Sequence, residues 1–448
     1  MARITPPGDL NMDSYWLPFT PNRSFRKNPR VFVAADGMYF TTDDGKQVLD
    51  GISSLWCVTA GHKRKPINEA IKAQLDTLDY ATAFNAANDR AFHAASLIAD
   101  LAPGDLNKVL FCSSGSEAAD TALKVALAYH RARGEGHRNI FIGREKGYHG
   151  VGFGGMSVGG IPANRKVFGA ALLPRVDHLR FTHDPVQHAF YNGMAPTSDT
   201  DLLAELEQRI LPLHDPGNIA AVIVEPIAGS AGWYVPPQGY LKRLREICDR
   251  HGILLIFDEV ITGFGRMGTP FGADYFGVVP DMLTFAKGVT NGVIPLGGVI
   301  CRNALYDQMM NTSAPEHVIE FFHGYTYSGH PVACAAAIAT LQLQREEKLF
   351  ERAGSMGKLL GDAMHAALKD LPGVVGVRTL GLAGAVEVAP LADAPGKRAY
   401  DIFLDCFHRG VLVRPAGENI VLCPPFIVEK AQIDQMVGTL ADSIRRNT

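Results

Sequence analysis

The sequence predicts an α/β fold, with a large, mostly parallel sheet in one domain and a smaller α+β domain built from both ends of the chain. Three observations lead to this class. Short apolar segments alternate with amphipathic ones through the middle of the chain, as in parallel sheets. Several of these apolar segments show no polar alternation, which is typical of strands covered by helices on both faces. The two ends contain shorter β-type segments separated by turns.

The predicted elements begin with a hairpin in residues 30–60, around the turns Asp36-Gly37 and Asp43-Asp44-Gly45. In the central part, helices are predicted to begin at Pro66, Glu117 and Tyr240, the first because proline is favoured in the first turn. The strands of the large sheet are predicted at 109–112, 139–142, 220–225, 253–258 and 282–286.

Beyond about residue 330, a long helix is predicted over 331–347, followed by strands at 374–378 and 385–388 and by two final helices. These elements divide the chain into three segments. Residues 66–328 are predicted to form the large domain, and 1–65 and 329–448 together the smaller one.

Composition excludes several classes of protein. The 448 residues are 47% hydrophobic and 20% charged, with a net charge of −3, so no basic surface for nucleic acid or anionic membrane is expected. The seven cysteines are scattered without a Cys-x-x-Cys pair, which argues against disulfides and a zinc site. Without a secretory signal or an apolar run of about 18 residues, we expect a cytoplasmic protein with no membrane span and no metal.

Three charged residues end buried strands. Lys287 follows the apolar run PDMLTFA, Asp258 ends ILLIFD, and Glu225 ends VIVE. A lysine at the end of an apolar run is poorly solvated, which lowers its pKa toward the range of a nucleophile. The carboxyl ends of parallel strands lie at one edge of a sheet, so the three side chains should converge. A solvated lysine after a core strand is the alternative interpretation.

Two further motifs point to the same edge. Ser114, Gly115 and Ser116 precede a helix, where backbone amides and small side chains can bind a phosphate, although Ser-x-x-Glu is also a capping box. Tyr148 and His149 follow another strand, and the tyrosine could stack on a planar ring or simply belong to the core.

Gly263–Gly268 fits Gly-x-Gly-x-x-Gly, but Thr269-Pro270-Phe271-Gly272 follows it, so we predict a loop rather than a dinucleotide site.

An amine and a carboxylate at adjacent strand ends suit an aldehyde cofactor with a basic ring nitrogen, which is pyridoxal phosphate. Lys287 would carry the cofactor as a Schiff base and shuttle a proton. Asp258 would keep the ring nitrogen protonated, and Glu225 would have a supporting role.

The sequence also resembles a known family. The stretches FDEVITGFGRMG and PDMLTFAKGVTNGVIPLGGV resemble the signature of class III aminotransferases, which are fold-type I pyridoxal-phosphate enzymes. Within that class the chain is most similar to the ω-amino acid–pyruvate (β-alanine–pyruvate) aminotransferases, or ω-transaminases. Supporting stretches are YWLPFTPNR, GISSLWCVTAGH, EPIAGSAGW, HGYTYSGHPVACAA and GVLVRPAGE.

The resemblance implies roles for individual residues. Lys287 and Asp258 would be catalytic, and Arg414 would pair with a substrate carboxylate. Phe84 would reach the substrate across a subunit interface, and Thr326 would reach the phosphate of the neighbouring subunit's cofactor. A homodimer with shared sites, or a tetramer, would follow. The other implied contacts are Ser114, Gly115, Ser116, Tyr148, His149, Glu225 and Val260 for the cofactor, and Phe19, Trp56 and Tyr148 for the substrate.

We therefore predict a ping-pong transamination in which an ω-amino acid such as β-alanine, or a primary amine, donates its amino group and pyruvate becomes L-alanine. Ile261 stands where ornithine and γ-aminobutyrate enzymes carry glutamine, which favours the ω-transaminase branch. Phe19 replaces a tyrosine of related enzymes and leaves fine donor preference open. The alternatives are an aminotransferase with another acceptor, a decarboxylating transaminase, an aminomutase, or a cofactor-free scaffold of the same fold.

Overall fold

A computed structural model describes residues 11–198, 201–311 and 313–448. Its strands are β1 Phe32–Asp36, β2 Tyr39–Thr42, β3 Gln47–Asp50, β4 Leu106–Cys112, β5 Ile140–Arg144, β6 Val176–Leu179, β7 Phe190–Asn192, β8 Ile219–Val224, β9 Leu254–Asp258, β10 Met282–Phe285, β11 Gly297–Arg302, β12 Val374–Thr379, β13 Gly384–Val388, β14 Val411–Leu412, β15 Arg414–Ala416 and β16 Asn419–Leu422.

The α-helices are α1 Asn22–Lys27, α2 Ser53–Trp56, α3 Lys65–Thr77, α4 Asp89–Ala99, α5 Gly115–Ala132, α6 Phe153–Val158, α7 Pro162–Arg165, α8 Leu211–His214, α9 Gly229–Gly232, α10 Tyr240–His251, α11 Gly272–Phe276, α12 Asn303–Met310, α13 Pro331–Glu346, α14 Leu349–Leu368, α15 Lys397–His408 and α16 Lys430–Asn447.

The largest sheet has seven strands in the order β4-β11-β10-β9-β8-β5-β6. Only β11 runs against its neighbours, pairing antiparallel with both β4 and β10. The predicted α/β class with a mostly parallel sheet is therefore confirmed. All five predicted strands of this sheet are present, and β8, β9 and β10 are buried along their whole length, as their uninterrupted apolar sequences require.

Helix ends are set by local chemistry. Ser114 precedes α5, and its Oγ accepts a hydrogen bond from the Glu117 amide at 3.2 Å while the Glu117 carboxylate accepts one from the Ser113 amide at 2.6 Å. The Ser114 hydroxyl thus caps the helix as the sequence predicts, and the reciprocal bond of Glu117 goes to the residue before the N-cap. Helix α10 ends at Gly252, which adopts a positive φ of 62° that costs glycine little.

The chain ends meet in a second sheet. Strands β1, β2 and β3 form an antiparallel meander, and β14 from the C-terminal part joins it parallel to β3, with Leu49 opposite Val411. The predicted hairpin is thus part of a four-stranded sheet. A third sheet has the order β15-β16-β13-β12-β7, in which β7 comes from the middle of the chain. The proposed division at residues 65 and 328 stays a prediction.

The Gly-x-Gly-x-x-Gly stretch lies in turns, as predicted, and no helix opens at it. The short helix α11 begins only at Gly272, immediately beyond that stretch. Glu259 accepts hydrogen bonds from the first amides of α11, at Gly272 and Ala273, and burial raises the pKa of its carboxyl to about 7.

In the described part of the chain, no helix combines the length and apolarity needed to cross a membrane.

Candidate active site

The strand ends open onto one cavity of about 730 Å³. It lies at the carboxyl edge of the seven-stranded sheet, the usual location of ligand sites in open α/β sheets. Eleven of the residues predicted from the sequence line it: Phe19, Trp56, Gly115, Ser116, Tyr148, His149, Glu225, Asp258, Val260, Lys287 and Arg414. Ser114, Phe84 and Thr326 are not among the lining residues.

Lys287 lies two residues beyond β10, at the start of a single 3₁₀ turn, with a positive φ of 52°. A left-handed backbone is uncommon for lysine and marks a position that the surroundings hold in place. Burial lowers the pKa of its amine, and the charge of Arg414 lowers it further, whereas Asp258 and Glu225 act in the opposite direction. A lowered pKa leaves more of the amine neutral and nucleophilic near neutral pH.

Asp258 is buried at the end of β9 and bonded to a histidine. Its Oδ2 lies 2.8 Å from Nδ1 of His149, and its Oδ1 accepts a hydrogen bond from the Val260 amide at 3.2 Å. His149 is itself only 1% exposed, so the pair is shielded from water. A carboxylate oriented in this way can stabilise a protonated ring nitrogen in the cavity.

Glu225, just beyond β8, accepts hydrogen bonds from two loops. Its Oε1 accepts a hydrogen bond from the Tyr148 amide at 3.0 Å, and its Oε2 accepts one from the Gly229 amide at 3.1 Å. The side chain is 4% exposed, and burial raises the pKa of its carboxyl. Glu225 thus connects the loop that carries Tyr148 and His149 to the glycine-rich loop after β8. This gives a physical basis for the supporting role predicted for it.

The N-terminus of α5 has the close packing that a phosphate cradle requires. A Cβ on Gly115 would lie 3.0 Å from both methyl groups of Val260. A Cβ on Gly150, which has a φ of +88°, would lie 2.4 Å from Ser116 Oγ. That hydroxyl accepts a hydrogen bond from the Val151 amide at 3.1 Å. Gly115 and Ser116 therefore present a helix N-terminus to the cavity, where an anion is favoured.

Trp56 lies close to both the Lys287 amine and a second cation. The Lys287 amine lies 5.6 Å from the centre of the Trp56 ring, and the Arg414 guanidinium lies 4.7 Å from it. Arg414 begins β15, and burial lowers its pKa from the usual value of arginine. Among the residues that the structure describes, no carboxylate forms an ion pair with it. A guanidinium in this setting suits a planar carboxylate ligand.

Phe84 and Thr326 lie together on the surface instead. The Phe84 side chain is 55% exposed. A Cβ on Gly324 would lie 3.2 Å from the Phe84 ring, and the Tyr80 hydroxyl donates a hydrogen bond to the Thr326 carbonyl at 3.0 Å. The two segments that carry these residues are therefore neighbours outside the cavity of their own chain.

Sequence reasoning missed part of the cavity wall. The wall also includes Lys146, Tyr234, Glu387 and Asn419. Tyr234 donates a hydrogen bond from its hydroxyl to Glu387 at 3.2 Å, and the side-chain amide of Asn419 lies 3.2 Å from the same hydroxyl. These contacts join residues more than 150 positions apart, and no local motif indicates them. The signal available for Glu387 was a single charge within the apolar sequence GAVEV of β13, where it is the one residue that is not buried.

Comparison with known families agrees with this geometry. Residues 22–444 match the family described as Aminotransferase class-III. The chain belongs to the class III aminotransferases. The match spans both the strand ends that carry the buried charges and the C-terminal sheet that carries Arg414.

Relatives of this aminotransferase are similar along their whole length. An omega-aminotransferase of Caulobacter vibrioides is 53% identical, and the match covers 97% of each chain. A beta-alanine–pyruvate aminotransferase of Pseudomonas aeruginosa is 46% identical, with 98% of each chain covered. Among solved structures, a PLP-bound amine transaminase from an uncultivated Pseudomonas species is 37% identical, with a TM-score of 0.89 over 98% of this chain and 100% of that one.

The site of this aminotransferase fits pyridoxal phosphate on three structural grounds. The helix N-terminus at Gly115 and Ser116 leaves no room for added side-chain atoms and suits the phosphate. Asp258 is held by His149 and presents a carboxylate for the ring nitrogen. Lys287 provides a partly buried amine on the same cavity wall.

We predict that Glu225→Gln destabilises the aminotransferase. A glutamine has one acceptor oxygen where two backbone amides now bond, so one buried N–H loses its partner. The free energy of unfolding should fall by about 1–3 kcal/mol. Urea denaturation of the cofactor-free protein measures this. Glu69→Gln is the matched control, because Glu69 is exposed and pairs only with Lys72 at 2.9 Å. Equal urea midpoints for Glu225→Gln and Glu69→Gln would contradict the role given to Glu225.

Proposed function

We propose that this aminotransferase transfers an amino group from an ω-amino acid such as β-alanine, or from a primary amine, to pyruvate, and releases L-alanine by a ping-pong mechanism. One observation carries the proposal. Arg414, with no carboxylate paired to it in the described part of the chain, stacks on Trp56 in the cavity that contains Lys287. A keto acid needs such a cation beside the reacting amine. The two relatives described above carry omega-aminotransferase and beta-alanine–pyruvate names and support the same assignment.

Pyridoxal phosphate, when bound, supplies the carbonyl that receives the amino group and a ring that delocalises the electrons released at the donor carbon. Gly115 and Ser116 would hold its phosphate, and Tyr148 and Val260 would enclose its ring. Asp258, oriented by His149, would keep the ring nitrogen protonated. Each of these residues lies on the cavity wall, which supports these roles.

Lys287 is the residue that we propose to move protons. Its amine lies beside the Trp56 ring in a partly buried position, and burial lowers its pKa, which favours the neutral form. A neutral amine can take a proton from the donor carbon and return it to the keto acid in the second half-reaction. Trp56 and Tyr148 line the same cavity as Lys287, and their rings would limit the access of water to this exchange.

Arg414 explains how one site accepts two substrate types. The guanidinium can bind the carboxylate of pyruvate or of β-alanine in a bidentate manner. Ile227, Ile261 and the Trp56 ring form the apolar wall around it, which suits donors without a carboxylate. Glutamine is absent at position 261, and the apolar isoleucine there is 7% exposed. This supports the ω-transaminase assignment over the class III branches that act on ornithine or γ-aminobutyrate.

We further propose that two copies of the chain share each site. Phe84 and Thr326 lie outside their own cavity but next to each other, as expected if both reach the site of a partner. Large apolar side chains surround them at the surface, with Phe322 80% and Tyr327 59% exposed. Exposed apolar surface of this kind is typical of an interface. A homodimer is the smallest assembly that covers it, and a tetramer would contain two such pairs.

We also propose a cytoplasmic location. All seven cysteines are free thiols, and six of them are buried. Free thiols suit a reducing compartment.

We expect Lys287→Ala to abolish turnover, because the other lysine among the lining residues, Lys146, has its amine over the Phe181 and Tyr234 rings. The rate of alanine formation from pyruvate should fall by at least about 10²–10⁴-fold. Cofactor should still bind without a covalent link, so that borohydride no longer attaches it to the protein. Lys242→Ala, at an exposed position of α10, is the control. Full activity of Lys287→Ala would refute the assignment.

Arg414→Ala should raise the KM for pyruvate about 10- to 100-fold, because a charge-assisted bidentate contact is lost. The KM for a primary amine without a carboxylate should change far less. Steady-state kinetics with both substrates varied separates the two values. Arg446→Ala, exposed in the last helix, should change neither. If both KM values rise alike, Arg414 has a structural role only.

The shared site predicts a particle of about twice the 48.4-kDa chain in sedimentation experiments. It also predicts complementation between Lys287→Ala and Thr326→Val chains. In a hybrid dimer one site receives both damaged residues and the other receives none, so about half of the wild-type activity should return. The activity of the mixed variants, assayed at a limiting concentration of pyridoxal phosphate, measures this recovery. A mixture that never exceeds the average of the two parent variants would show that each chain supplies its own site.

A further inference from the structure

The segment that carries Trp56 has a strained backbone. Within residues 52–56, here called the Trp56 segment, Ser53, Ser54 and Trp56 have positive φ values of 51°, 59° and 58°. A left-handed conformation in a non-glycine residue costs on the order of 1–3 kcal/mol. Three such residues within four positions persist only where surrounding contacts hold them. The cavity wall at Trp56 therefore depends on whatever fixes this segment.

Asp50 holds the segment from one side. This carboxylate is fully buried at the end of β3. It accepts hydrogen bonds from the Ile52 amide at 3.1 Å and from the Ser54 amide at 2.8 and 2.9 Å. Its Oδ2 also lies 2.8 Å from His62 Nε2, and the His62 ring packs edge-on against Phe40. The Asp50 carboxylate thus accepts hydrogen bonds from amides that the irregular backbone would otherwise leave unpaired.

Arg266 holds the segment from the other side. It comes from the Gly-x-Gly-x-x-Gly stretch, is 1% exposed, and donates to Ser53 Oγ at 3.1 Å. The same guanidinium donates to the carbonyls of Leu382 at 3.0 Å and Pro424 at 2.7 Å. Ser53 Oγ in turn donates to the Cys423 carbonyl at 2.8 Å. The Trp56 segment is therefore tied both to the loop after β9 and to the C-terminal sheet.

The Trp56 ring has no hydrogen bond of its own to orient it. Its Nε1 is buried and has no partner among the residues that the structure describes. The ring nevertheless lies close to both the Lys287 amine, at 5.6 Å, and the Arg414 guanidinium, at 4.7 Å. Its position must then come from packing and from the backbone of the Trp56 segment. Neither Asp50 nor Arg266 lines the cavity.

We propose that Asp50 and Arg266 form a two-sided clamp on the Trp56 segment, and that this clamp positions Trp56 and, through it, Arg414 for binding a substrate carboxylate. Both are positioning residues, because neither touches the substrate. The proposal rests on the proposed use of pyruvate, and it assigns the clamp to the carboxylate end of the substrate rather than to the cofactor.

Two variants loosen the clamp without removing bulk. Ser53→Ala deletes the hydroxyl that Arg266 and the Cys423 carbonyl share. Asp50→Asn keeps the size of the side chain but replaces one carboxylate oxygen by an amide nitrogen. That nitrogen donates a hydrogen bond where the oxygen accepted one from a backbone amide or from His62. In each we expect the KM for pyruvate to rise about tenfold, as when a charge-assisted contact is misaligned. The KM for propanal, a similar acceptor without a carboxylate, should change less than about twofold, and cofactor affinity should stay at the wild-type value.

The controls match each change in chemistry. Asp36→Asn alters an exposed carboxylate of the same sheet, which pairs with Lys63 at 3.2 Å. Ser355→Ala removes an exposed hydroxyl that bonds only within its helix. Neither should change any kinetic constant. Equal rises for pyruvate and propanal in the clamp variants, or no rise at all, would overturn the proposal, since the clamp would then be general scaffolding or unnecessary.

Tryptophan quenching reports on the clamp independently of the reaction. The chain has three tryptophans, of which Trp16 is 86% exposed, whereas Trp56 and Trp233 are buried. In a Trp16→Phe background, acrylamide should quench little fluorescence. Adding Ser53→Ala or Asp50→Asn should open Trp56 to the quencher. If pyruvate proves not to be a substrate of the wild type, this signal still tests the clamp. Unchanged quenching in both variants would contradict it.

Discussion

The site depends on opposite charges brought together at the buried edge of the central sheet. Lys287, Asp258 and Glu225 stand at the ends of adjacent strands, where little water reaches them and electrostatic interactions are strong. Burial disfavours the charge on the lysine, and the two carboxylates oppose that effect. Burial therefore lowers the pKa of the amine, while the amine keeps two oppositely charged neighbours. His149 and the Tyr148 loop are in turn hydrogen-bonded to the two carboxylates.

The substrate side is supplied by a different part of the fold. Arg414 comes from the C-terminal sheet and Trp56 from the segment after the N-terminal meander, and the two side chains stack on each other. The parallel pairing of β3 with β14, the strand just before Arg414, brings these two segments together. The residues proposed for the cofactor and those proposed for the substrate carboxylate thus come from separate sheets and line one cavity. This separation lets the apolar wall vary without disturbing the buried charges.

Local signals were enough to predict part of the site. Lys287, Asp258 and Glu225 each end an apolar run, and the helix Tyr240–His251 has the bounds expected from its sequence. Contacts across long separations were not predictable, such as Asp258 with His149 or Asp50 with the Trp56 segment, because nothing near either partner indicates the other. Ser114 shows the limit of a motif that allows two interpretations. Its hydroxyl caps α5 and does not line the cavity.

The pairing of β3 with β14 also has a consequence for synthesis on the ribosome. About 360 residues separate the two strands, so β3 waits roughly 20–70 s for its neighbour at ordinary elongation rates. During that interval the nascent chain already contains the strands that carry Lys287 and Asp258 but lacks Arg414. The half that would hold the vitamin-derived ring is therefore translated well before the half that recognises the keto acid. Until the last strands emerge, the unpaired edge of β3 is a natural place for a chaperone to bind.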